Sequence, residues 1–338
     1  MKIAHLLPHS VTYPLKVHNA RHEWALRLAM LQAHKGHDVT LYCNPSSCAP
    51  GVIIRGIDHA TDNKAKNNEK LLTLALLEKH DIYHSHFDNA HYKLGHLTKN
   101  PIVYTQHWWP DQKTIELAAS YGHGNIWAVP PTRYMYDYDM ASGIKTYGHI
   151  YHGIDTNFFT PSTINKSGRL LSVSRISPEK NVEQSVEIAK KSGLGLDIIG
   201  KIADKNQQYW EKLSQFIDGS QIIYHGTKNQ NMLIEYYSSA QALLFPSYAE
   251  EAFGLVAIEA QACGTPVIMW NRGSRSELVE EGKTGFLCND MNDFTHAARL
   301  SQNLSATNCR NFALRFDIHT MAANYERLYA QLLINHRS

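Results

Sequence analysis

The sequence predicts an α/β protein made of two Rossmann-like, doubly wound domains. Three observations carry that expectation. Short apolar runs alternate with stretches of helical spacing through most of the chain, the βαβ pattern that produces a parallel sheet covered on both faces. The pattern pauses once, at residues 160–168, where TPSTINKSG is polar and holds Pro and Gly, and then restarts. The length of 338 residues is long for one domain and comfortable for two.

In the first half, KIAHLL, DVTLYC, VIIRGI, DIYHSH, PIVYTQH, NIWAVP and GHIYHG read as strands. Between them, residues 20–34 place Leu26, Ala29, Met30 and Ala33 at helical spacing. Gly36 then supplies the positive φ that a helix C-terminus favours. Residues 68–78 form the next helical stretch. In the second half, RLLSVSRI, LDIIGKI, QIIYHG, ALLFPS and PVIMW read as strands, and residues 179–192, 207–217, 229–239 and 253–262 as helices. A final helix near residues 319–334 sets Met321, Tyr325, Leu328 and Leu332 on one side. The expected domains are residues 1–160 and 161–318, with the terminal helix, 319–338, packing back onto the first. Two such domains facing each other place a ligand cleft between them, because open α/β sheets bind ligands beyond the carboxyl ends of their strands.

Composition excludes several classes. Lys and Arg number 33 against 31 Asp and Glu, and the charges are scattered, so no nucleic-acid footprint is expected. The five cysteines (Cys43, Cys48, Cys263, Cys288, Cys309) are odd in number and form no CxxC pair. A structural zinc site is therefore not expected, and reduced thiols in a cytoplasmic protein are. MKIAHLLPHSV reads as a buried first strand rather than a signal peptide. No stretch approaches the roughly 18 apolar residues that span a bilayer, which leaves peripheral contact with an inner membrane open.

The chemistry concentrates in residues 242–289. A helix opens at Phe253-Gly254-Leu255 after an acidic loop, with Glu251 and Glu259 bracketing its start. A helix N-terminus offers free amides and a partial positive charge, which suits phosphate. Eight helical residues rise about 12 Å, the scale that separates a sugar from a ribose along a nucleotide diphosphate sugar. Glu259 also reads as an ordinary surface glutamate. An acid–base pair of a hydrolase would need the two carboxylates to converge, which this spacing disfavours. SRISPEKN, residues 174–181, follows a strand and puts Arg175 and Lys180 on one loop. Arg forks onto phosphate and Lys adds a point charge. The plainer reading pairs both with Glu179 and Glu183 on a solvated face.

These motifs resemble glycosyltransferase family 4, retaining and metal-independent enzymes of the GT-B fold. The resemblance rests on SRISPEKN, IIGK at 198–201, IIYHGT at 222–227, LLFPS at 243–247, the Glu251–Glu259 segment with AQACGTPVI, and EEGKTGFL at 280–287. The first half resembles the family more faintly, through KGHDVTLY, DIYHSH, PIVYTQH and YHGID. It implies that Arg175 and Lys180 neutralise the donor diphosphate and that Glu251 contacts the transferred sugar. Phe253, Gly254 and Leu255 would give backbone amides, and Glu259 would hold the ribose. Gly200, Lys201 and the Tyr224-His225-Gly226 turn would lie near the base. His107 matches the position that touches the sugar from the first, acceptor-side domain, though a histidine tucked into the strand end is the other reading.

The chain departs from the family at two places. Asn19-Ala20 stands where a Gly-Gly pair approaches phosphate, and His152-Gly153-Ile154-Asp155 replaces Asn-Gly-Val-Asp. His84 and His86 alternate on a strand and face one side. With His107 they have the ligand types for zinc, yet lining a polar acceptor cleft is the more economical reading. Trp108, Trp109 and Tyr104 suit either sugar stacking or an aromatic core.

The expectation is therefore transfer of a sugar from a nucleotide diphosphate donor, UDP-linked first and GDP-linked next, to a hydroxyl of a saccharide, lipid-linked or small-molecule acceptor. No metal and no cofactor beyond the donor is expected. An epimerase or hydrolase of the same fold and a non-catalytic nucleotide-sugar-binding protein are the alternatives.

Overall fold

A computed structural model describes residues 1–15, 20–87, 89–122 and 124–337. Asn19, one of the two departures noted above, lies outside them. The chain divides into two compact units, Met1–Gly153 with Ile318–Ser338, and Ile154–Asp317.

The first unit runs β1 (Lys2–Leu6), α1 (Ala20–His34), β2 (Asp38–Tyr42), β3 (Ile53–Arg55), α2 (Lys64–Leu77), β4 (Ile82–Ser85), α3 (Ala90–Leu94), β5 (Ile102–Thr105), α4 (Gln112–Tyr121), β6 (Ile126–Val129) and α5 (Arg133–Ala141). All its strand pairs are parallel, in the order β3-β2-β1-β4-β5-β6. The second unit runs β7 (Leu170–Val173), α6 (Val182–Ser192), β8 (Leu196–Ile199), α7 (Gln207–Ser214), β9 (Ile222–Tyr224), α8 (Gln230–Ser239), β10 (Ala242–Phe245), α9 (Leu255–Ala262), β11 (Val267–Trp270), β12 (Gly285–Cys288), α10 (Met291–Leu300) and α11 (Ala306–Ala313). Its sheet is also parallel, in the order β12-β11-β10-β7-β8-β9. The chain then returns to the first unit as α12 (Ile318–Arg337), which packs on α1.

Both sheets are covered on two faces, so successive residues of one strand enter different cores. Ile3 joins Trp24, Leu28, Tyr325 and Tyr329 on the side of α1 and α12. Ala4 joins Leu71, Tyr83 and Ile102 on the other. The order of strands reverses in each unit beside its first strand, between β1 and β4 and between β10 and β7. At such a point the two flanking loops leave in opposite directions and open a crevice beyond the strand ends.

Four expectations are corrected. GHIYHG forms no strand; residues 148–153 are irregular, and Ile150 N–H donates to Pro130 O at 3.0 Å beyond the end of β6. The helix expected over 179–192 is split, because Asn181 takes a left-handed conformation (φ 54°) between a 3₁₀ turn, Pro178–Lys180, and α6. The helix expected from Phe253 begins at Leu255, because Gly254 sits outside helical space at φ 119°. Residues 154–160 belong to the second unit rather than the first. Ile154 N–H donates to Phe316 O at 2.9 Å, Thr156 Oγ1 to Asp317 Oδ2 at 2.6 Å, and Arg310 to Thr156 O at 2.7 Å.

Candidate functional site

In the second unit the reversal point is stitched by its two loops, residues 174–181 after β7 and residues 246–254 after β10. Lys180 Nζ forms an ion pair with Glu251 Oε1. Ser247 Oγ lies 3.0 Å from the same carboxylate oxygen and 3.1 Å from Glu179 O. Tyr248 N–H donates to Glu179 O at 3.1 Å, and Asn181 Nδ2 donates to Pro246 O at 3.2 Å. Lys180 thus does not pair with Glu183 as in the plainer reading. Arg175 does follow that reading: it reaches Glu179 at 3.5 Å and stays well exposed.

Sequence reasoning missed Arg275. It stands on the 3₁₀ turn Gly273–Glu277 after β11 and is only 1% exposed. Its Nη2 donates to Ser247 O and Ala249 O, both at 2.8 Å, fixing the loop that carries Glu251. Its Nε and Nη1 are buried without a hydrogen-bond partner among the described residues. Burial draws its pKa down to about 10, opposed by the nearby Glu251 carboxylate. The only signal was an arginine just past the strand PVIMW, a place where surface arginines are common.

At the start of α9 the roles divide between side chain and backbone. The Phe253 side chain is buried and meets Phe316 edge-on, with ring centroids 5.7 Å apart. Only its backbone faces the helix start. A Cβ on Gly254 would lie 3.3 Å from Leu278 Cδ1 in a left-handed backbone, so glycine is favoured there. Leu255 opens the helix. Glu259 is 7% exposed and accepts a hydrogen bond from Tyr237 OH at 2.9 Å. It is therefore not the ordinary surface glutamate of the alternative reading.

The predicted base-side residues gather at the ends of β8 and β9. A Cβ on Gly200 would lie 1.7 Å from Ser174 O, so only glycine lets these two loops touch. Gly200 N–H donates to Gly226 O at 3.0 Å, and Tyr224 OH donates to Gly200 O at 2.8 Å. Lys201 is exposed, and its carbonyl accepts from Ile176 N–H at 3.0 Å. The His225 ring is committed elsewhere. Its Nε2 is 2.8 Å from Asp197 Oδ1 and its Nδ1 3.2 Å from Tyr236 OH.

In the first unit five imidazoles run in sequence. His84 and His86 centroids are 4.1 Å apart, His5 and His86 5.3 Å, His86 and His107 5.6 Å, and His107 and His152 5.1 Å. Burial pushes the pKa of His5 to about 4 and of His152 to about 3, and those of His84, His86 and His107 well below the usual range. All five are neutral at pH 7, so each can both donate and accept a hydrogen bond.

The trio whose nitrogens lie within 4.8 Å of one another is His5, His84 and His86, not the set with His107. All six of its ring nitrogens already have partners: His5 with His86 and Gln32, His84 with Tyr329 and Thr105, and His86 with His5 and His107. A metal would have to displace that network. Trp108 is 56% exposed, whereas Trp109 is half-buried edge-on against Tyr134 and Tyr138. Tyr104 is buried beside His91.

Residues 154–313 match the family model for glycosyl transferases, group 1. The match falls within the unit that holds the Lys180–Glu251 pair. Among curated proteins, the D-inositol 3-phosphate glycosyltransferase of Paenarthrobacter aurescens is 27% identical over 217 residues, covering 55% of this chain and 52% of its own. The chain spans about half the length of the curated relatives it matches. Among solved structures, sucrose-phosphate synthase from Thermosynechococcus elongatus superposes with a TM-score of 0.82 at 18% identity, covering 99% of both chains. Anabaena HepE in complex with UDP-glucose gives 0.78 at 17%, covering 98% of this chain and 100% of its own. These likenesses show the fold: two Rossmann-like units of the GT-B class. No helix among the described residues is long and apolar enough to cross a membrane.

Proposed function

We propose that the protein is a retaining, metal-independent glycosyltransferase of family 4 that moves a sugar from a nucleotide diphosphate donor to an acceptor hydroxyl. UDP-sugars are favoured and GDP-sugars come next. The observation that carries this reading is the Lys180–Glu251 pair at the reversal point of a unit matching group 1 glycosyl transferases. The HepE structure with UDP-glucose supports the choice of donor.

The donor diphosphate sits at the first turn of α9, where free amides and the helix dipole favour an anion. Lys180 exchanges Glu251 for phosphate, and Arg175, exposed and weakly held by Glu179, turns onto it. Glu251, steadied by Ser247, accepts hydrogen bonds from sugar hydroxyls and orients the ring. Glu259 holds the ribose, and Gly200 and the Tyr224–Gly226 turn bound the base; neutral His107, in the first unit, is the acceptor-side candidate. The bond from the anomeric carbon to the phosphate oxygen breaks and its electron pair leaves with the nucleoside diphosphate. The acceptor oxygen bonds on the same face, and its proton passes to the leaving phosphate. Lys180 and the α9 amides stabilise the charge growing on that phosphate, the kind of fixed electrostatics that lowers a barrier most.

Incubating the protein with UDP-, GDP-, ADP- and TDP-sugars and an acceptor mixture, with and without a chelator, tests the reading. A glycoside that keeps the donor's anomeric configuration supports it. Release of free sugar or an epimer without any acceptor overturns it.

A further inference from the structure

His107 stands at one end of a hydrogen-bonded line that lies wholly within the first unit. Its Nε2 is 3.4 Å from His86 Nδ1, His86 Nε2 is 3.0 Å from His5 Nδ1, and His5 Nε2 is 2.7 Å from Gln32 Oε1. His5 comes from β1, His86 from just past β4, His107 from just past β5 and Gln32 from α1. His5 and Gln32 are fully buried and His86 nearly so, whereas His107 is half-buried. Apolar side chains of similar volume would pack the buried positions without the cost of burying polar groups. The chain instead keeps a polar line whose one imidazole outside the core is His107.

Elementary chemistry fixes the direction of this line. Burial keeps the three rings neutral at pH 7. A neutral imidazole has one N–H and one lone pair, so when one nitrogen donates the other accepts. An amide oxygen only accepts. Gln32 Oε1 facing His5 Nε2 therefore puts the His5 proton on Nε2 and leaves its Nδ1 as an acceptor. His86 must then donate from Nε2 and accept at Nδ1, and His107 must donate from Nε2. The His107 Nδ1 lone pair is left over, and no described residue hydrogen-bonds to it. The other side of the amide is anchored as well. Gln32 Nε2 donates to Tyr329 OH at 3.5 Å, Tyr329 OH donates to His84 Nδ1 at 2.5 Å, and His84 Nε2 donates to Thr105 Oγ1 at 2.6 Å. A half-turn of the amide would reverse every proton in the line. The tautomer of His107 thus depends on an amide three hydrogen bonds away.

We propose that Gln32 is a positioning residue for glycosyl transfer: acting through His5 and His86, it holds His107 as the Nε2–H tautomer, so that His107 Nδ1 accepts a hydrogen bond from a hydroxyl of the acceptor substrate. The proposal rests on the glycosyl-transfer reading above, with His107 on the acceptor side, and adds what sets its hydrogen-bonding role. Gln32 touches no substrate and moves no proton. It decides whether His107 Nδ1 accepts or donates.

The test is the ring-nitrogen NMR spectrum at pH 7 of the full chain labelled with nitrogen-15 at histidine, the His107 signals being those that vanish in His107→Gln. The wild type should show His107 protonated at Nε2 and bare at Nδ1. Gln32→Met keeps the side-chain length but removes the amide, and should show both tautomers of His107. His5→Leu removes the acceptor for His86 without touching Gln32, and should do the same. His5→Asn, whose Oδ1 stands in for Nδ1 as that acceptor, should keep the wild-type form. In the transfer assay described above, Gln32→Met should lower kcat about tenfold, the worth of one well-placed hydrogen bond, with the donor KM unchanged, and His5→Asn should keep wild-type turnover. A His107 proton on Nδ1 in the wild type overturns the proposal. So does an unchanged tautomer in a folded Gln32→Met or His5→Leu, and so does a changed tautomer with unchanged kcat. Absence of any transfer by the wild type, with the His107 tautomer still dependent on Gln32, would sink the glycosyl-transfer reading and leave the control of His107 standing.

Discussion

Lys180 Nζ and Glu251 Oε1 meet in an ion pair across the point where the strand order of the second unit reverses. Each residue comes from a different βα loop, and each side chain is mostly buried. In the proposed function this cation and anion, held against each other, are the donor site at rest. On that proposal, phosphate replaces the carboxylate on Lys180 and sugar hydroxyls replace the ammonium on Glu251.

Lys180→Ala should lower kcat/KM by about 10²–10³-fold, the usual cost of losing one group that stabilises developing charge. The melting temperature should change little, because the pair joins two loops already linked through Ser247, Tyr248 and Asn181. Steady-state kinetics beside a melting curve reads both. Near-wild-type turnover would remove Lys180 from the diphosphate.

Arg275→Ala acts on stability first. It strips the donor from two carbonyls, at Ser247 and Ala249, and leaves a void where a large buried side chain stood. The expected cost is about 2–4 kcal/mol, with a raised donor KM as the Glu251 loop loosens. Chemical denaturation gives the first number. A change within about 0.5 kcal/mol, the range of ordinary surface substitutions, would mean that Arg275 does not hold the loop.

The histidine run predicts how stability depends on pH. His5 has a folded-state pKa of about 4 against an ordinary 6.5, and its neighbours are lowered too. Protons therefore bind the unfolded chain more readily. The stability this contributes is fully present above pH 6.5 and is lost as pH falls toward 4. His5 alone accounts for roughly 3 kcal/mol. Melting curves between pH 8 and 4 should show a steep decline below 6.5, reduced in His5→Gln.

Asp139 has the opposite sign. It is fully buried on α5, with Gln106 Nε2 3.3 Å from its Oδ1 and its Oδ2 unpartnered among the described residues. Burial raises its pKa to about 7. Its penalty is absent below the ordinary carboxylate range and grows as pH rises through 7. Asp139→Asn should therefore stabilise the protein by about 1–3 kcal/mol at pH 8 and by much less at pH 5. Equal effects at the two pH values would show that the carboxylate is not held near neutrality.

Much of this was legible in the chain, for physical reasons that differ by element. Strands such as ALLF and LLSV were readable because both sheet faces are buried and apolar residues run unbroken. The helices α4, α5, α10 and α11 went unread, although Asp111, Thr132, Asp290 and Ser305 cap them with side-chain bonds to the first turn. Their polar surfaces hid the helical period. Glu251, Lys180 and Gly254 were singled out from their loop positions and the motif resemblance, and the fold brings Lys180 and Glu251 together as an ion pair. Arg275 was not, because its role depends on two carbonyls that only the folded chain brings near.

The most direct measurement is the affinity of UDP, GDP, ADP and TDP for the wild type and for Lys180→Ala, by thermal shift with and without a chelator. A ligand at about a hundred times its dissociation constant adds roughly 2.7 kcal/mol, a shift of about 2–4 °C or more at this size. The account predicts a selective shift by one diphosphate, UDP first, unchanged by chelator and lost in Lys180→Ala. No shift with any of them, or an equal shift in the variant, would contradict a nucleotide-sugar site at Lys180 and Glu251.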